Sequence, residues 1–228
     1  MKTVAFGLVT LTLPACGFIH HRTPEYSFVR VQGHPVYISP EAAGDKVLVN
    51  RVTAKLDSDL KNIHAILPAR AMSQLAGLAF WVEQDNPETP GMTYHPSAAW
   101  LQEHGYNTDK AGGIEIGNLR HFLDWRADQP MMVLHEVSHA YHDQVLGFDH
   151  VTVRWAYDNA VSSHRYESVP YVRGGSKRAY ALTNEKEYFA EMSEAYWGRN
   201  DFYPFNRTEL EKFDPAGFQM VEKLWLNP

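Results

Sequence analysis

The sequence predicts an α+β fold in which a small mixed sheet packs against several helices. Short segments that alternate apolar and polar residues, as in residues 27–39 and 112–118, are typical of strands. Longer segments with apolar residues at helical spacing, as in residues 40–67 and 130–146, are typical of helices with one buried face. No repeat and no linker interrupts residues 27–228, so we expect them to form one domain.

Turn and cap residues give the predicted order of the elements. A hairpin or two short strands are followed by a long helix that Pro68 ends, and a later helix begins at Pro130 and stops at Gly147. Asn184 is expected to cap the last long helix. Between these lie a buried strand, a short helix, a further helix and a glycine-rich loop, at residues 77–82, 97–104, 151–163 and 168–177.

The segment GGIEIGN, residues 112–118, is predicted to be an edge strand of the sheet. Ile114 and Ile116 point to one side of such a strand and Glu115 to the other, and Gly117 follows at its end. A short strand with one apolar and one polar face is typical of an edge.

The beginning of the chain is typical of a bacterial export signal. Residues 1–15 combine a basic Lys2 with an apolar run that is too short to span a bilayer. The sequence Leu-Pro-Ala before Cys16 resembles a lipobox, in which the cysteine carries lipid and begins the mature chain. Cys16 is the only cysteine, so it has no internal disulfide partner. We therefore predict a lipid-anchored protein in which residues 16–26 form a polar tether.

The location that follows from this signal is the bacterial cell envelope. Gly17 follows the cysteine, so no acidic residue indicates retention at the inner membrane, and we expect the outer membrane where a bacterium has two. The alternative is an ordinary cleaved signal peptide, which would make the protein secreted. The chain has 21 Lys and Arg against 27 Asp and Glu, without long blocks of either sign, and this argues against a nucleic-acid partner.

A metal-binding motif lies within the apolar helix of residues 130–146. The sequence HEVSH runs from His135 to His139, and on a helix two residues four positions apart project from the same face. Two imidazoles on one face can bind one metal ion, while Glu136 lies close enough to reach a water molecule beside it. We predict one zinc ion per chain. The alternative is a pair of structural histidines.

A catalytic zinc ion takes three protein ligands and keeps one position open. His142 lies one turn beyond His139, and we expect it to border the cleft or support a ligand. The later segment NEKEYFAEMSEAYW contains Glu187 and Glu191, which are spaced so that both can face one site. One is expected to bind the metal and the other to hold a ligand histidine. The competing role for Glu187 is a capping box with Asn184.

The two segments together resemble the catalytic domain of the anthrax lethal factor-like zinc peptidases. In that family HExxH is followed by a tyrosine, three residues and then Asn-Glu-x-Glu-aromatic-Phe-Ala-Glu, and this chain has HEVSH and later YALTNEKEYFAE. The resemblance covers about residues 112–198. It implies a zincin-like metallopeptidase fold, with Glu187 as the third zinc ligand and Glu191 as a supporting residue. It implies that Tyr180 donates a hydrogen bond to the oxyanion or the leaving group.

The resemblance also implies how a substrate would bind. Residues 114–117 would take the place of the edge strand that aligns an extended peptide in zincin folds. We therefore expect a peptide or protein substrate, hydrolysed by a water molecule that zinc activates and Glu136 deprotonates. Two alternatives remain open: an envelope lipoprotein that binds zinc without catalysis, and an amidase that acts on cell-wall peptides with the same site.

Overall fold

The computed structural model describes residues 20–227 of the chain. The predicted signal peptide, residues 1–15, and the predicted lipidation site Cys16 lie outside the described residues. Within the described part, no helix combines the length and the apolarity needed to cross a bilayer. The structure is 55% helix and 13% strand with a small mixed sheet, which confirms the α+β class predicted from the sequence.

Residues 20–227 contain ten α-helices. They are Pro40–Gly44 (α1), Lys46–Ile66 (α2), Ala69–Gln74 (α3), Ala98–Glu103 (α4), Leu119–Asp124 (α5), Met132–Tyr141 (α6), Val151–Ser162 (α7), Glu185–Trp197 (α8), Arg207–Phe213 (α9) and Pro215–Leu226 (α10). The long helix predicted for residues 40–67 is divided at Asp45, whose side chain caps the backbone N–H of Leu48 at 3.0 Å and starts α2. The last two helices were not predicted.

Five strands form the mixed sheet, in the order β1-β2-β3-β5-β4. They are Ser27–Val31 (β1), His34–Ile38 (β2), Phe80–Val82 (β3), Met92–Tyr94 (β4) and Ile114–Ile116 (β5). β1 and β2 form the predicted hairpin, β2, β3 and β5 run parallel, and β4 runs antiparallel to β5. A separate ribbon of Val169–Pro170 (β6) and Ser176–Lys177 (β7) lies in the segment that was predicted to be a loop.

The prediction that residues 114–117 form the edge of the sheet is wrong. β5 lies between β3 and β4, so that β4 is the edge strand on this side. Glu115 is fully buried, and its Oε2 lies 2.9 Å from both Nζ of Lys110 and Nε2 of His95. Its Oε1 accepts a hydrogen bond from the Thr89 hydroxyl at 2.8 Å. The polar position that indicated a solvent-facing strand is therefore the centre of a buried polar network.

Residues 20–26 are part of the folded domain, so the tether predicted for residues 16–26 is wrong for its described part. The hydroxyl of Tyr26 donates to Oε1 of Glu83 at 2.5 Å, in a buried position. The Tyr26 ring packs edge-on against Trp81, with 5.1 Å between the ring centroids. An aromatic side chain that gains both a buried hydrogen bond and a ring contact binds this segment to the sheet.

Helix α6 determines where the site lies, because it contacts the sheet, α2 and α8. Its apolar side chains are buried in the core: Val133, Leu134, Val137, Ala140 and Tyr141. Burying each of the larger ones contributes about 1.5–3 kcal/mol, which holds this face of the helix in place. After Tyr141 the chain continues in a π-helical turn, His142–Leu146, and Gly147 with φ +83° ends it as predicted.

Candidate metal centre

Two histidines of α6 point into the same space. The ring centroids of His135 and His139 are 4.8 Å apart, and the ring planes meet at 79°. Their side chains are 12% and 11% exposed. Since the other face of α6 is packed in the core, the four-residue spacing directs both imidazoles toward α8.

Glu187 reaches both histidines from the first turn of α8. Its Oε2 lies 3.0 Å from Nε2 of His135 and 3.2 Å from Nε2 of His139. The side chain of Asn184 caps α8 by accepting hydrogen bonds from the backbone N–H groups of Lys186 and Glu187. The cap therefore uses the backbone of Glu187 and leaves its carboxylate free to face the histidines, and the competing capping-box role is not what the structure shows.

The carboxylate that supports His135 from behind is Glu194, where the sequence indicated Glu191. Nδ1 of His135 lies 2.6 Å from Oε1 of Glu194 and 3.9 Å from Oε1 of Glu191. Glu191 is turned toward Asn200, whose amide donates to its Oε2 at 3.1 Å. Glu187, Glu191 and Glu194 lie on one face of α8, but the carboxylate that orients the ring is the last of them, Glu194.

Carboxyl groups outnumber cationic groups around His135. Burial lowers the pKa of His135, but hydrogen bonds with Glu187 and Glu194 outweigh it and hold that pKa well above its ordinary value. Burial and the charge of Glu194 raise the pKa of Glu191 well above its usual range. The same two causes raise the pKa of Asp201 to about 6. A divalent cation beside these carboxyl groups would offset the excess negative charge.

The donor atoms fit a zinc ion. One nitrogen each of His135 and His139 and one carboxylate oxygen of Glu187 lie within 4.8 Å of one another. Two imidazoles and a carboxylate are a donor set that catalytic zinc takes, with a further position open. His135, Glu191 and Glu194 form a second such group, but it shares His135, whose contact with Glu194 is typical of a carboxylate that orients a metal-binding histidine.

Glu136 borders the same space from α6. Its Oε2 accepts a hydrogen bond from the backbone N–H of Tyr94 in β4, at 2.8 Å. The phenol of Tyr94 in turn donates to Oδ2 of Asp143 at 2.7 Å. These bonds join the edge strand to the helix and fix one oxygen of the Glu136 carboxylate.

An open cleft of about 290 Å³ runs beside these groups. Residues 88–93 line it from the side of β4, together with His135, Glu136 and Tyr180. Tyr180 is 47% exposed, and its ring centroid is 6.3 Å from that of His135. A tyrosine phenol is protonated at neutral pH and can donate a hydrogen bond. Burial and the charge of Glu187 raise the pKa of Tyr180 further. The structure thus brings Tyr180 to the cleft, and it does not bring residues 114–117 there.

His142 is a core residue, and the prediction that it borders the cleft or supports a ligand is wrong. The ring is fully buried between Phe148 and Phe189, at 5.1 and 5.0 Å between centroids. Within residues 20–227, neither of its ring nitrogens has a hydrogen-bond partner. Burial and the nearby charge of His139 lower its pKa to about 3, so the ring is neutral. His142 is the first residue of the π-helical turn, and its ring faces the apolar core.

Three features of the site were not predicted from the sequence. These are Glu194, the edge strand β4 and the buried Asp201 beside Gln129. Glu194 follows Glu187 by seven residues, which places it on the same face of a helix, but Glu191 lies on that face too and the spacing does not choose between them. The pairing of β4 with a strand some twenty residues later has no comparable local signal.

Comparisons with protein-family models, with curated proteins and with solved structures found no match. The functional assignment therefore depends on the arrangement of the side chains and on the two sequence motifs.

Proposed function

We propose that this protein is a zinc-dependent peptidase with a zincin-like fold, anchored in the bacterial cell envelope by a lipid on Cys16. The observation that carries the proposal is the convergence of His135, His139 and Glu187 beside Glu136 and an open cleft. The edge strand supports the fold assignment, because β4 runs antiparallel to its neighbour and borders the cleft. The resemblance of the two motifs to lethal factor-like peptidases supports it as well.

His135, His139 and Glu187 would hold one zinc ion per chain. Zinc bound to these donors supplies a Lewis acid that polarises the scissile carbonyl and lowers the pKa of water. Glu194 would accept a hydrogen bond from Nδ1–H of His135, which fixes the tautomer of the ring and leaves the lone pair of Nε2 to bind the metal. The ligand geometry therefore depends on a fourth residue that does not itself bind the metal.

Glu136 is the general base of the proposed reaction. The Tyr94 N–H holds Oε2 of Glu136, which leaves Oε1 to take a proton from the attacking water. Glu136 then returns that proton to the nitrogen of the leaving amine. A carboxylate positioned for proton transfer in this way contributes about 10²–10⁴-fold to the rate.

Tyr180 is the proposed donor to the oxyanion. Its phenol lies in the cleft. A tyrosine phenol is protonated at neutral pH, and burial and the charge of Glu187 raise the pKa of Tyr180 further. A neutral O–H can donate a hydrogen bond to the oxygen on which negative charge develops, and it stabilises the transition state more than the substrate.

The substrate that suits this cleft is an extended peptide. β4 pairs with β5 along one side, and within residues 20–227 no strand pairs with its other side. A peptide can add to such an edge through main-chain hydrogen bonds. Met92 and Thr93 of β4 line the cleft, so this strand takes the role that the sequence indicated for residues 114–117.

Turnover by the zinc-loaded protein tests the proposal, with a fluorogenic peptide library and purified cell-wall peptides as separate substrate sets. We expect cleavage in the peptide library, and we expect the zinc-loaded Glu136→Gln variant to lose at least about 10²-fold in kcat. Cleavage confined to cell-wall peptides would replace the assignment with an amidase. A folded, zinc-loaded parent that cleaves neither set would overturn it and indicate a zinc-binding lipoprotein without catalysis.

A further inference from the structure

A row of aromatic rings crosses the face of the domain where the described chain begins. On one side of this starting point the row runs from Phe28 to Tyr37, then to Trp81 and Tyr26. Successive ring centroids are 5.4, 4.3 and 5.1 Å apart. Phe28, at the far end of this part, is 50% exposed, while Trp81 is covered by the segment that contains Tyr26.

The row continues on the other side of the starting point. The ring of His20 lies 4.1 Å from that of Tyr106, which lies 5.7 Å from that of Trp100. Trp100 is 44% exposed and stacks on the exposed His104 at 4.0 Å. We name the surface formed by Phe28, Trp100 and His104 the N-terminal face.

The composition of the N-terminal face suits the boundary between lipid and water. Its two large exposed rings flank the start of the described chain, and the Arg30 guanidinium lies 5.6 Å from the ring centroid of Phe28. The side chain of Arg22, in the chain segment between them, is 88% exposed. Tryptophan and other amphipathic rings concentrate at the headgroup level of membranes, and arginine can pair there with phosphate groups.

The length of the chain before His20 limits where this face can lie. Four residue steps separate Cys16 from His20, and a fully extended chain covers at most about 14 Å over that length. If Cys16 carries lipid, His20 must remain within that distance of the bilayer surface. The rings next to it are then the nearest part of the domain to the lipid.

We propose that the N-terminal face lies on the phospholipid surface of the membrane to which Cys16 is anchored, with the rings of Phe28 and Trp100 in the headgroup layer. This inference depends on the proposed lipidation and not on the peptidase activity. It also places one end of the cleft beside the membrane, because Tyr106 donates to Oε2 of Glu88 at 2.7 Å and Glu88 lines the cleft.

Tryptophan fluorescence of the full-length, membrane-purified protein tests the proposal. The protein is reconstituted into phosphatidylethanolamine and phosphatidylglycerol vesicles with brominated acyl chains, after mass spectrometry of the Cys16 peptide. We expect bromine to quench the parent, and we expect Trp100→Phe to remove most of that quenching. The matched control is Trp155→Phe, since Trp155 lies on α7 and is 57% exposed. This variant should be quenched like the parent.

Three results would overturn the proposal: no lipid on Cys16, no quenching of the vesicle-bound parent, or quenching that Trp155→Phe removes and Trp100→Phe keeps. Peptide turnover, measured on the same samples, separates the two proposals. A protein without peptidase activity that still shows the expected quenching pattern contradicts the proposed function alone.

Discussion

Nδ1 of His135 lies 2.6 Å from Oε1 of Glu194, while Nε2 of the same ring lies 3.0 Å from Oε2 of Glu187. The imidazole is thus held between two carboxylates of one helix, seven residues apart. Glu187 completes a set of metal donors, and Glu194 fixes the orientation of the ring. Glu191, which lies between them in sequence, bonds to Asn200.

Glu194→Ala is expected to weaken zinc binding about 10- to 100-fold, because His135 loses the carboxylate that orients it. Glu191→Ala is the matched control, and it should weaken binding less. Zinc affinity is measured by competition with a chelator, with circular dichroism to establish that each variant is folded. Equal losses in the two variants, or a larger loss for Glu191→Ala, would contradict the assignment of Glu194.

Tyr180→Phe is expected to lower kcat about 10²–10³-fold and to leave KM and zinc content nearly unchanged. The variant keeps the ring and removes the hydroxyl that would donate to the oxyanion. Tyr157→Phe is a suitable control, since that phenol bonds to the carbonyl of Leu182 at 3.2 Å. A Tyr180→Phe enzyme with the kcat of the parent would exclude the proposed role.

The buried network around Glu115 predicts how the free energy of unfolding decreases at acid pH. Burial raises the pKa of Glu115, but the hydrogen bond from His95 and the charge of Lys110 outweigh it and lower that pKa from 4.5 to about 2. A carboxyl group whose pKa is lower in the folded state than in the unfolded state stabilises the fold at pH values above its unfolded-state pKa. Its contribution, about 3 kcal/mol for a shift of this size, is lost as the pH falls from 4.5 toward 2.

Glu115→Gln should therefore be less stable than the parent at pH 7 and should lose less stability between pH 4.5 and 2. Urea unfolding of the metal-free protein at several pH values measures this. Glu103→Gln, at an exposed position of α4, is the control and should follow the parent. A Glu115→Gln variant that loses as much unfolding free energy between pH 4.5 and 2 as the parent would refute the prediction.

Gly117→Ala is expected to destabilise the protein by about 3 kcal/mol. A Cβ at this position would overlap the backbone carbonyl of Thr89, so the loop before β4 can close over β5 only where the side chain is absent. Gly44, the last residue of α1, has open space around it, and Gly44→Ala should be neutral or slightly stabilising. Similar urea midpoints for the two variants would show that the contact at Gly117 is not tight.

The two helices of the site could be predicted because their signals are local. Asn184 caps α8 and Gly147 ends the extension of α6, and the spacing of the motif residues put His135 and His139 on one face. Choosing Glu194 over Glu191 was not possible from the sequence, since both lie on the same face of α8 and the distant Asn200 decides between them.

The sheet was harder to predict because its pairing is not local. The alternation of apolar and polar residues in β5 predicts an edge strand. Glu115 is nevertheless buried, because Lys110 and His95, which lie outside the strand, pair with its carboxylate. β4 has three residues and is defined by its partner β5. The path of residues 20–26 depends on a hydrogen bond between Tyr26 and the distant Glu83.

The amount of zinc bound per chain is the direct test of the proposed site formed by His135, His139 and Glu187. Elemental analysis is done on folded protein after incubation with zinc and removal of excess metal. We expect one zinc ion per chain in the parent and in Glu185→Ala, a control that removes another carboxylate from the first turn of α8, and a marked loss in Glu187→Ala. A folded parent that binds no zinc, or a Glu187→Ala variant that binds zinc like the parent, would contradict the proposed site.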